Sequence, residues 1–335
     1  MFAAIDVGYG FTKALASPGG GRSIFPSAIA PARGSGDLAA ALGGGTVQHR
    51  MSVAIQGVEL QEFLVGSAAL AAGATRSWSA DGDGRQDYAV LVLAALAAVG
   101  ASGLVDIALG LPLSVYLNKD ERRRLRDHIW GLRAAVSWDG RASTTVEAAS
   151  VKVLPQAVGA YYSALLGSDG ARLAGQMVGV VDIGYHTSDF LLLVPGGDGV
   201  SVPDEARSGS LDAGMSQPID AVRQYVSSKT GTPFAAPEGM IEAALRNGGH
   251  LTVRGREIDV RSAYDEALRT LADRITSEIQ RSWGQRIDFL SATLLAGGGG
   301  QEVAPYLHLP AITVVEDPIY ANAAGFLQML SRPQR

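Results

Sequence analysis

A short polar segment near the start of the chain carries residue types that suit phosphate chemistry. Asp6 ends an apolar run, Gly8, Tyr9 and Gly10 follow it, and Lys13 opens the next apolar run. Glycine main-chain N–H groups can approach phosphate oxygens, Lys13 supplies a positive charge, and Asp6 can hold Mg²⁺ through water. The segment is neither a Walker loop nor a dinucleotide fingerprint, since a returning strand is predicted where a helix should begin. A structural β-turn explains the segment equally well when it is taken alone.

The same pattern returns in the second half of the chain. Residues 3–9 and 179–185 are both apolar runs that end in Asp, an aliphatic residue, Gly and Tyr, and His186, Thr187 and Asp189 follow the second copy. Each copy predicts a β-hairpin whose strands are buried on both faces. The offset is close to half the chain, which predicts two domains of one design. Two such hairpins facing each other would clamp a triphosphate and its metal.

A glycine run near the end of the chain adds a third element. It comprises Gly297, Gly298, Gly299 and Gly300, follows the apolar, β-prone run at residues 287–296, and precedes a predicted helix. A backbone without side chains can lie against an adenosine or admit its phosphates. A flexible turn is the alternative for any glycine run, but the two Asp-Gly hairpins disfavour it here.

Composition excludes several classes of function. The 335 residues include 42 glycines and no cysteine, which excludes disulfide scaffolds, thiol catalysis and thiolate metal sites. With 28 basic and 33 acidic residues, the net charge is −5, which does not favour a broad nucleic-acid surface. Residues 88–105 carry no charge. They predict a buried helix over 88–99, a turn and a strand over 103–111 rather than a membrane span, and no signal peptide is expected.

Two predicted helices are rich in small residues and can approach closely. They lie at residues 155–162 and 320–326 and include Gly159 and Gly325. Small side chains let two backbones cross, although ordinary Ala-rich core helices would show the same composition. Residues 119–130 form a third predicted helix, basic and amphipathic, for which a solvated face is favoured over a nucleic-acid surface.

Taken together, these segments resemble the actin-like ATPases of the actin, sugar-kinase and heat-shock-chaperone superfamily, in particular the ParM/StbA-type bacterial plasmid-segregation actins. The resemblance spans the whole chain. In order, the matching segments are residues 6–13 (first phosphate loop), 154–157 (first connecting helix), 182–189 (second phosphate loop), 295–300 (adenosine motif) and 322–325 (second connecting helix). Residues 209–214 resemble a ribose and phosphate loop, and residues 110–113 with Tyr116 resemble a segment of the ParM branch.

This resemblance implies an α/β fold with two duplicated RNase H-like (actin-like) domains around a central nucleotide cleft. Domain I would comprise residues 1–160 and 320–335, with a small insertion subdomain at about 27–86. Domain II would comprise residues 161–319, with a small subdomain at about 206–284.

The resemblance also implies roles for single residues. Asp6 and Asp182 would be catalytic and would organise Mg²⁺ largely through water, and Lys13 would contact the β- and γ-phosphates. Gln156 would be catalytic by orienting the attacking water; an amide cannot deprotonate it, so slow hydrolysis is expected. Tyr185 and His186 replace small residues of the family and would either crowd the γ-phosphate or point outward. The implied nucleotide-binding residues are Gly8, Tyr9, Gly10, Lys13, Gly184, Tyr185, His186, Thr187, Asp189, Asp212, Gly214, Gly297, Gly298, Gly299 and Gly300.

The implied function is that of a slow, Mg²⁺-dependent ATPase, also compatible with GTP, that polymerises into filaments for plasmid or DNA segregation. Its partners would be copies of itself and, through a separate adaptor protein, DNA, with no membrane and a cytoplasmic location. Two alternatives stay open: a small-molecule, sugar-type kinase of the same superfamily, and a non-polymerising, chaperone-like ATPase.

Overall fold

The chain divides into two compact units. The computed structural model describes residues 1–32, 49–55, 59–76, 84–167, 170–236 and 238–332. Unit 1 comprises Met1–Ala171 and Ile319–Arg335, and unit 2 comprises Arg172–Pro318. The helix Val158–Leu166, which spans the expected boundary at residues 160 and 161, belongs wholly to unit 1. Much of the expected insertion subdomain at 27–86 lies outside the described residues.

Strands predominate up to Val65 in the described part of the chain, and helices and strands are interspersed after it. The strands are β1 (Phe2–Val7), β2 (Phe11–Ser17), β3 (Arg22–Pro26), β4 (Ile29–Pro31), β5 (Arg50–Ile55), β6 (Gln61–Val65), β7 (Gly103–Leu111), β8 (Arg133–Trp138), β9 (Thr144–Pro155), β10 (Val178–Ile183), β11 (Ser188–Pro195), β12 (Ser201–Pro203), β13 (Gly209–Leu211), β14 (His250–Val253), β15 (Arg256–Asp259), β16 (Ala292–Ala296) and β17 (Ile312–Val314). The α-helices are α1 (Ser67–Ala71), α2 (Gly84–Ala98), α3 (Leu113–Leu117), α4 (Lys119–Ile129), α5 (Val158–Leu166), α6 (Gly170–Leu173), α7 (Ser216–Thr230), α8 (Glu238–Arg246), α9 (Arg261–Trp283), α10 (Gly300–Val303) and α11 (Ala321–Ser331).

Unit 1 is built on one large mixed sheet. Its strand order is β3-β2-β1-β7-β9-β8-β5-β6-β4. β1 pairs antiparallel with β2 and parallel with β7, which itself pairs parallel with β9. β1 is buried almost throughout, as predicted, whereas β2 alternates, with Thr12, Ala14 and Ala16 buried and their neighbours partly exposed. The prediction that both strands of the first hairpin are buried on both faces was therefore wrong for β2.

The uncharged stretch that touched the length of a membrane span is a core helix followed by a strand. Tyr88 to Val99 are buried almost throughout against the sheet of unit 1. Gly100 in the turn and Gly103 at the first position of β7 then adopt φ angles of 72° and 68°, a left-handed backbone that glycine tolerates. No helix in the described part of the chain is long and apolar enough to cross a bilayer.

Unit 2 repeats the central arrangement of unit 1. Its main sheet has the order β12-β11-β10-β16-β17, with β13 paired to β11. β10 pairs antiparallel with β11 and parallel with β16, and β16 pairs parallel with β17. The run at residues 287–296 is a strand only from Ala292, because Gly284–Phe289 form a 3-10 segment after α9. The apolar side of α9, including its last residue Trp283, packs with α7 in one core cluster.

Two helices of unit 1 cross with their backbones in close approach. A Cβ atom added to Gly325 on α11 would lie 1.9 Å from the main-chain oxygen of Gly159 on α5. A Cβ atom added to Gly159 would lie 2.6 Å from the main-chain oxygen of Asn322. The prediction that these small-residue helices cross closely is confirmed, because no larger side chain fits at either glycine.

Candidate functional site

The first hairpin brings Asp6 and Lys13 face to face. The two residues are register partners in β1 and β2, and the Lys13 Nζ lies 3.1 Å from the Asp6 Oδ2. The Asp6 side chain is only 2% exposed and that of Lys13 is 14% exposed. Solvent screens an ion pair this buried only weakly, so removing either charge would leave the other buried without its partner.

Gln156 reaches the same carboxylate from the end of β9. Its Nε2 donates a hydrogen bond to the Asp6 Oδ1, so Lys13 and Gln156 engage different oxygens of Asp6. Gly110, the parallel partner of Asp6 in β7, has no room for a side chain, because an added Cβ would lie 3.0 Å from the Asp6 Oδ1. The structure thus gathers two predicted residues of unit 1, Lys13 and Gln156, around the buried carboxylate of a third, Asp6.

The turn between β1 and β2 is held by a residue that the sequence did not single out. Ser27 donates its Oγ hydrogen to the main-chain oxygen of Gly8 at 2.6 Å and its main-chain N–H to the oxygen of Gly10 at 3.0 Å. The Gly8 N–H bonds the Phe11 oxygen at 3.1 Å, which closes the turn. Tyr9 is partly buried and packs against the core of unit 1. Local sequence carries no signal for Ser27, because its partners lie across the sheet.

Tyr88 is a second residue that the sequence missed. Burial raises the pKa of its phenol far above the ordinary value, and the nearby Asp6 carboxylate raises it further. Its fully buried side chain therefore adds to the low-polarity surroundings of Asp6. Its only sequence signal was its place at the start of an apolar helix.

In unit 2 the second hairpin places one carboxylate opposite another. Asp182 in β10 is the register partner of Asp189 in β11, and both residues are buried. The Ser210 hydroxyl of β13 donates a hydrogen bond to the Asp189 Oδ1. β13 therefore ties the segment at residues 209–214 to the strand that follows the second loop.

The second loop is anchored to the start of α7 through its main chain. The N–H of Met215 bonds the Gly184 oxygen at 3.1 Å, and the N–H of Ser216 bonds the Tyr185 oxygen at 2.8 Å. A Cβ atom added to Gly214 would lie 2.5 Å from that Tyr185 oxygen. Gly214 is thus required by close backbone approach. Thr187 closes the loop by accepting a hydrogen bond from the Gly184 N–H at 2.9 Å.

The side chains of Tyr185 and His186 pack on one another. Their rings meet edge to face, with centroids 4.7 Å apart. The His186 Nδ1 lies 3.3 Å from the Ser216 Oγ, which places the imidazole beside the first turn of α7. Asp212 is exposed, and its main-chain oxygen accepts a hydrogen bond from the Arg274 Nη2 at 3.4 Å.

The glycine run lies directly against the second hairpin. Gly297 has φ of 81°, and an added Cβ would lie 2.3 Å from the Asp182 Oδ1. The Gly299 N–H bonds the Ile183 oxygen at 3.0 Å, whereas a Cβ atom added to Gly298 would meet no atom within 4 Å. Gly300 opens α10. Three segments that are distant in sequence, residues 182–187, 212–216 and 297–300, therefore converge within unit 2.

These residues fit a magnesium nucleotide. In unit 1, Asp6 supplies hard oxygen atoms of the kind that Mg²⁺ prefers, and Lys13 supplies a cation for phosphate. In unit 2, Asp182 supplies a further carboxylate of the same kind. Among the described residues, no group of three or more His, Asp or Glu side chains is placed to hold a metal ion. Mg²⁺ commonly keeps its waters and binds through one or two carboxylates and substrate phosphates.

Two α/β units, each built on a hairpin with an aspartate at the end of its first strand, define the class of actin-like folds. Residues 4–159 match the family model of the N-terminal domain of actin-like proteins. Residues 180–308 match the C-terminal model of the archaeal actin homologue MreB-like family. The chain belongs to the actin-like proteins. The expected family and the expected α/β class are confirmed.

Solved structures agree over nearly the whole chain. A 15-stranded ParM filament from Clostridium botulinum matches with a TM-score of 0.84 and 21% identity, covering 98% of each chain. A non-polymerisable quadruple mutant of a ParM matches with a TM-score of 0.83 and 22% identity, again over 98% of each chain. An archaeal actin homologue in complex with ADP matches with a TM-score of 0.74 and 21% identity, also over 98% of each. No curated protein matches the sequence.

Proposed function

We propose that the chain binds and slowly hydrolyses ATP with Mg²⁺, and that the nucleotide state controls its assembly into filaments that move or position DNA. The observation that carries the proposal is the buried cluster in which Lys13 and Gln156 engage the two oxygens of Asp6. The ADP complex of the archaeal relative and the ParM filament support the nucleotide and the assembly, respectively. GTP is compatible with the same residues.

The residues of the candidate site have separate roles in the proposed ATP hydrolysis. ATP supplies the phosphoanhydride bond, and Mg²⁺ draws charge from the phosphates when both are bound. Lys13 holds phosphate oxygens, while Asp6 and Asp182 orient the water molecules of the metal. Gln156 orients the attacking water through its amide. An amide is not a base at neutral pH, so the water is positioned rather than deprotonated and turnover is slow.

The remaining predicted residues bind rather than react. Gly297, Gly298, Gly299 and Gly300 present a bare backbone to the nucleoside, and Gly214 keeps the neighbouring loop close. His186 lies beside Ser216 in the first turn of α7. We propose that filament contacts are made between copies of this chain, in the cytoplasm, and that DNA is reached through an adaptor protein.

Sedimentation and light scattering with ATP and Mg²⁺ test this proposal. The unmodified chain is expected to assemble with ATP and to disassemble as phosphate is released. Asp182→Asn, which keeps the shape of the side chain, is expected to abolish both changes. Asp106→Asn is the matched control, because Asp106 lies on β7 and accepts a hydrogen bond from Ser150 away from these residues. Phosphorylation of an added sugar without assembly would establish the kinase alternative, and ATP turnover without assembly would establish the chaperone-like one.

A further inference from the structure

Asn322 caps a helix other than its own. Its Oδ1, projecting from α11, accepts hydrogen bonds from the main-chain N–H groups of Ala157 at 3.0 Å and Ala160 at 3.1 Å. These groups lie at the N-terminus of α5, whose own N-cap residue, Ala157, makes no side-chain capping bond. In the Asn322 amide only the oxygen can accept hydrogen bonds from N–H groups, so the oxygen and not the nitrogen faces α5.

Solvent cannot take over this capping role. The first N–H groups of a helix have no partner within the helix and need an acceptor from elsewhere. Ala157 is fully buried and Asn322 is only 4% exposed. Ala157 also has φ of 66°, a left-handed conformation that costs energy for any residue with a Cβ atom. The bend between β9 and α5 therefore depends on a restraint from outside the segment, and Asn322 supplies it.

The residue held by this bend is Gln156. Its main-chain N–H bonds the Leu111 oxygen at 2.8 Å, and its Nε2 donates to the Asp6 Oδ1. The backbone is thus fixed on one side of Gln156 by β7 and on the other by the capped turn. A release of the turn at Ala157 changes the direction in which the Gln156 side chain leaves the backbone.

We infer that Asn322 is a positioning residue for Gln156, acting through the first turn of α5. The inference rests on the proposed ATP hydrolysis and on the role of Gln156 in it. Asn322 bonds the main-chain N–H groups of Ala157 and Ala160. It sets the orientation of the amide that orients the attacking water.

The chain offers a matched control for the capping bond. Asn118 caps α4 in unit 1, accepting hydrogen bonds from the N–H groups of Asp120 at 3.2 Å and Glu121 at 3.3 Å. It has the same side chain and the same chemistry but lies outside the candidate site. Asn322→Ala and Asn118→Ala therefore remove the same kind of bond from two different helices.

The first readout is amide hydrogen exchange in the nucleotide-free protein. Asn322→Ala is expected to speed exchange at Ala157 and Ala160 by about tenfold, because their acceptor is lost. Asn118→Ala is expected to leave that exchange unchanged. Asn322→Asp keeps an acceptor oxygen at the helix N-terminus and is expected to keep exchange slow. Fast exchange in Asn322→Asp, or slow exchange in Asn322→Ala, would overturn the inference.

The second readout is steady-state ATP hydrolysis by the full chain. Asn322→Ala is expected to lower kcat about tenfold, through misplacement of Gln156, with KM changed by less than about twofold. In a Gln156→Ala background the same substitution is expected to lower kcat no further. An equal loss of kcat in both backgrounds, or none in either, would overturn the inference.

ATP hydrolysis by the unmodified chain distinguishes a failure of the proposed function from a failure of the inference about Asn322. An unmodified chain that hydrolyses no ATP would overturn the proposed function, and the role of Asn322 with it. ATP hydrolysis by the unmodified chain with an unaffected Asn322→Ala would overturn only the inference. Should Asn322→Ala fail to fold, Asn322→Ser is measured in its place, since the shorter side chain withdraws the acceptor while remaining polar.

Discussion

Lys13 stands directly opposite Asp6 across the first hairpin, whereas Asp189 stands opposite Asp182 at the same place in the second. The two hairpins share their register and their position beside a parallel strand, but the position opposite the aspartate carries opposite charges. The duplicated backbone therefore does not duplicate the chemistry. The first hairpin brings a cation of its own, which suits phosphate, and the second brings two carboxylates, which suit a hydrated cation.

Replacement of Lys13 tests the buried ion pair. Lys13→Met is expected to lower the free energy of unfolding by about 3 kcal/mol, because it leaves the Asp6 charge buried without its partner. Adding Asp6→Asn is expected to recover most of that loss. Denaturant unfolding measures both, and Arg50→Met is the control. Arg50 pairs with Glu62 at the surface, where both side chains are about 40% exposed, so a loss under about 1 kcal/mol is expected. Equal losses for Lys13→Met and Arg50→Met would contradict this account.

Substitutions at the neighbouring glycines Gly297 and Gly298 are expected to affect different properties, the first stability and the second nucleotide binding. Gly297→Ala is expected to destabilise unit 2, because its Cβ would meet the Asp182 Oδ1 at 2.3 Å and its φ is 81°. Gly298→Ala is expected to leave thermal stability unchanged, since nothing lies within 4 Å of its Cβ. If Gly298 lies against the nucleoside, Gly298→Ala should nevertheless weaken the binding of a fluorescent ATP analogue about tenfold. This change in affinity corresponds to a loss of about 1.4 kcal/mol in binding free energy. Unchanged affinity in folded Gly298→Ala would remove that residue from the site.

The helix crossing in unit 1 makes a prediction about stability alone. Gly325→Ala is expected to lower the free energy of unfolding by about 3 kcal/mol, because its Cβ would meet the Gly159 oxygen. Gly239→Ala, on the exposed side of α8, is expected to raise it by about 0.5 kcal/mol, since alanine favours the helix. Calorimetric melting of the two variants gives opposite shifts if the crossing is as tight as described. A similar small change in both would count against it.

Two tyrosines are expected to ionise late. Burial raises the pKa of Tyr88 and Tyr264 in the folded chain above the ordinary value of 10.0, and a hydrogen bond to Glu302 raises that of Tyr264 further. Because the folded pKa is raised, this contribution to stability is complete below pH 10 and is lost as pH rises beyond it. Ultraviolet titration of the folded chain should leave Tyr88 and Tyr264 protonated until the chain unfolds. Chain unfolded in urea should ionise all ten tyrosines together, and a single step in the folded chain would refute the prediction.

Local patterns were sufficient for the two hairpins, for several helices and for the loops of the candidate site. Apolar runs that end in Asp and Gly predicted both hairpins, and the uncharged stretch at residues 88–105 predicted the core helix α2 and the strand β7. Such patterns depend on residues within a few positions of each other, so they can be read without the fold. The late start of β16 escaped them, because Ile287 is apolar yet belongs to a 3-10 segment.

The amino-acid sequence by itself therefore determined the family, the α/β class, the two hairpins and the residue types that suit a magnesium nucleotide. The tertiary structure alone decided which of these residues meet within each unit. Gln156 meets Asp6 across 150 positions, and Asn322 meets Ala157 across 165. Contacts over such separations depend on the order of strands in a sheet and on the distance between packed helices. No local period encodes those quantities, because they follow from the burial of many side chains at once.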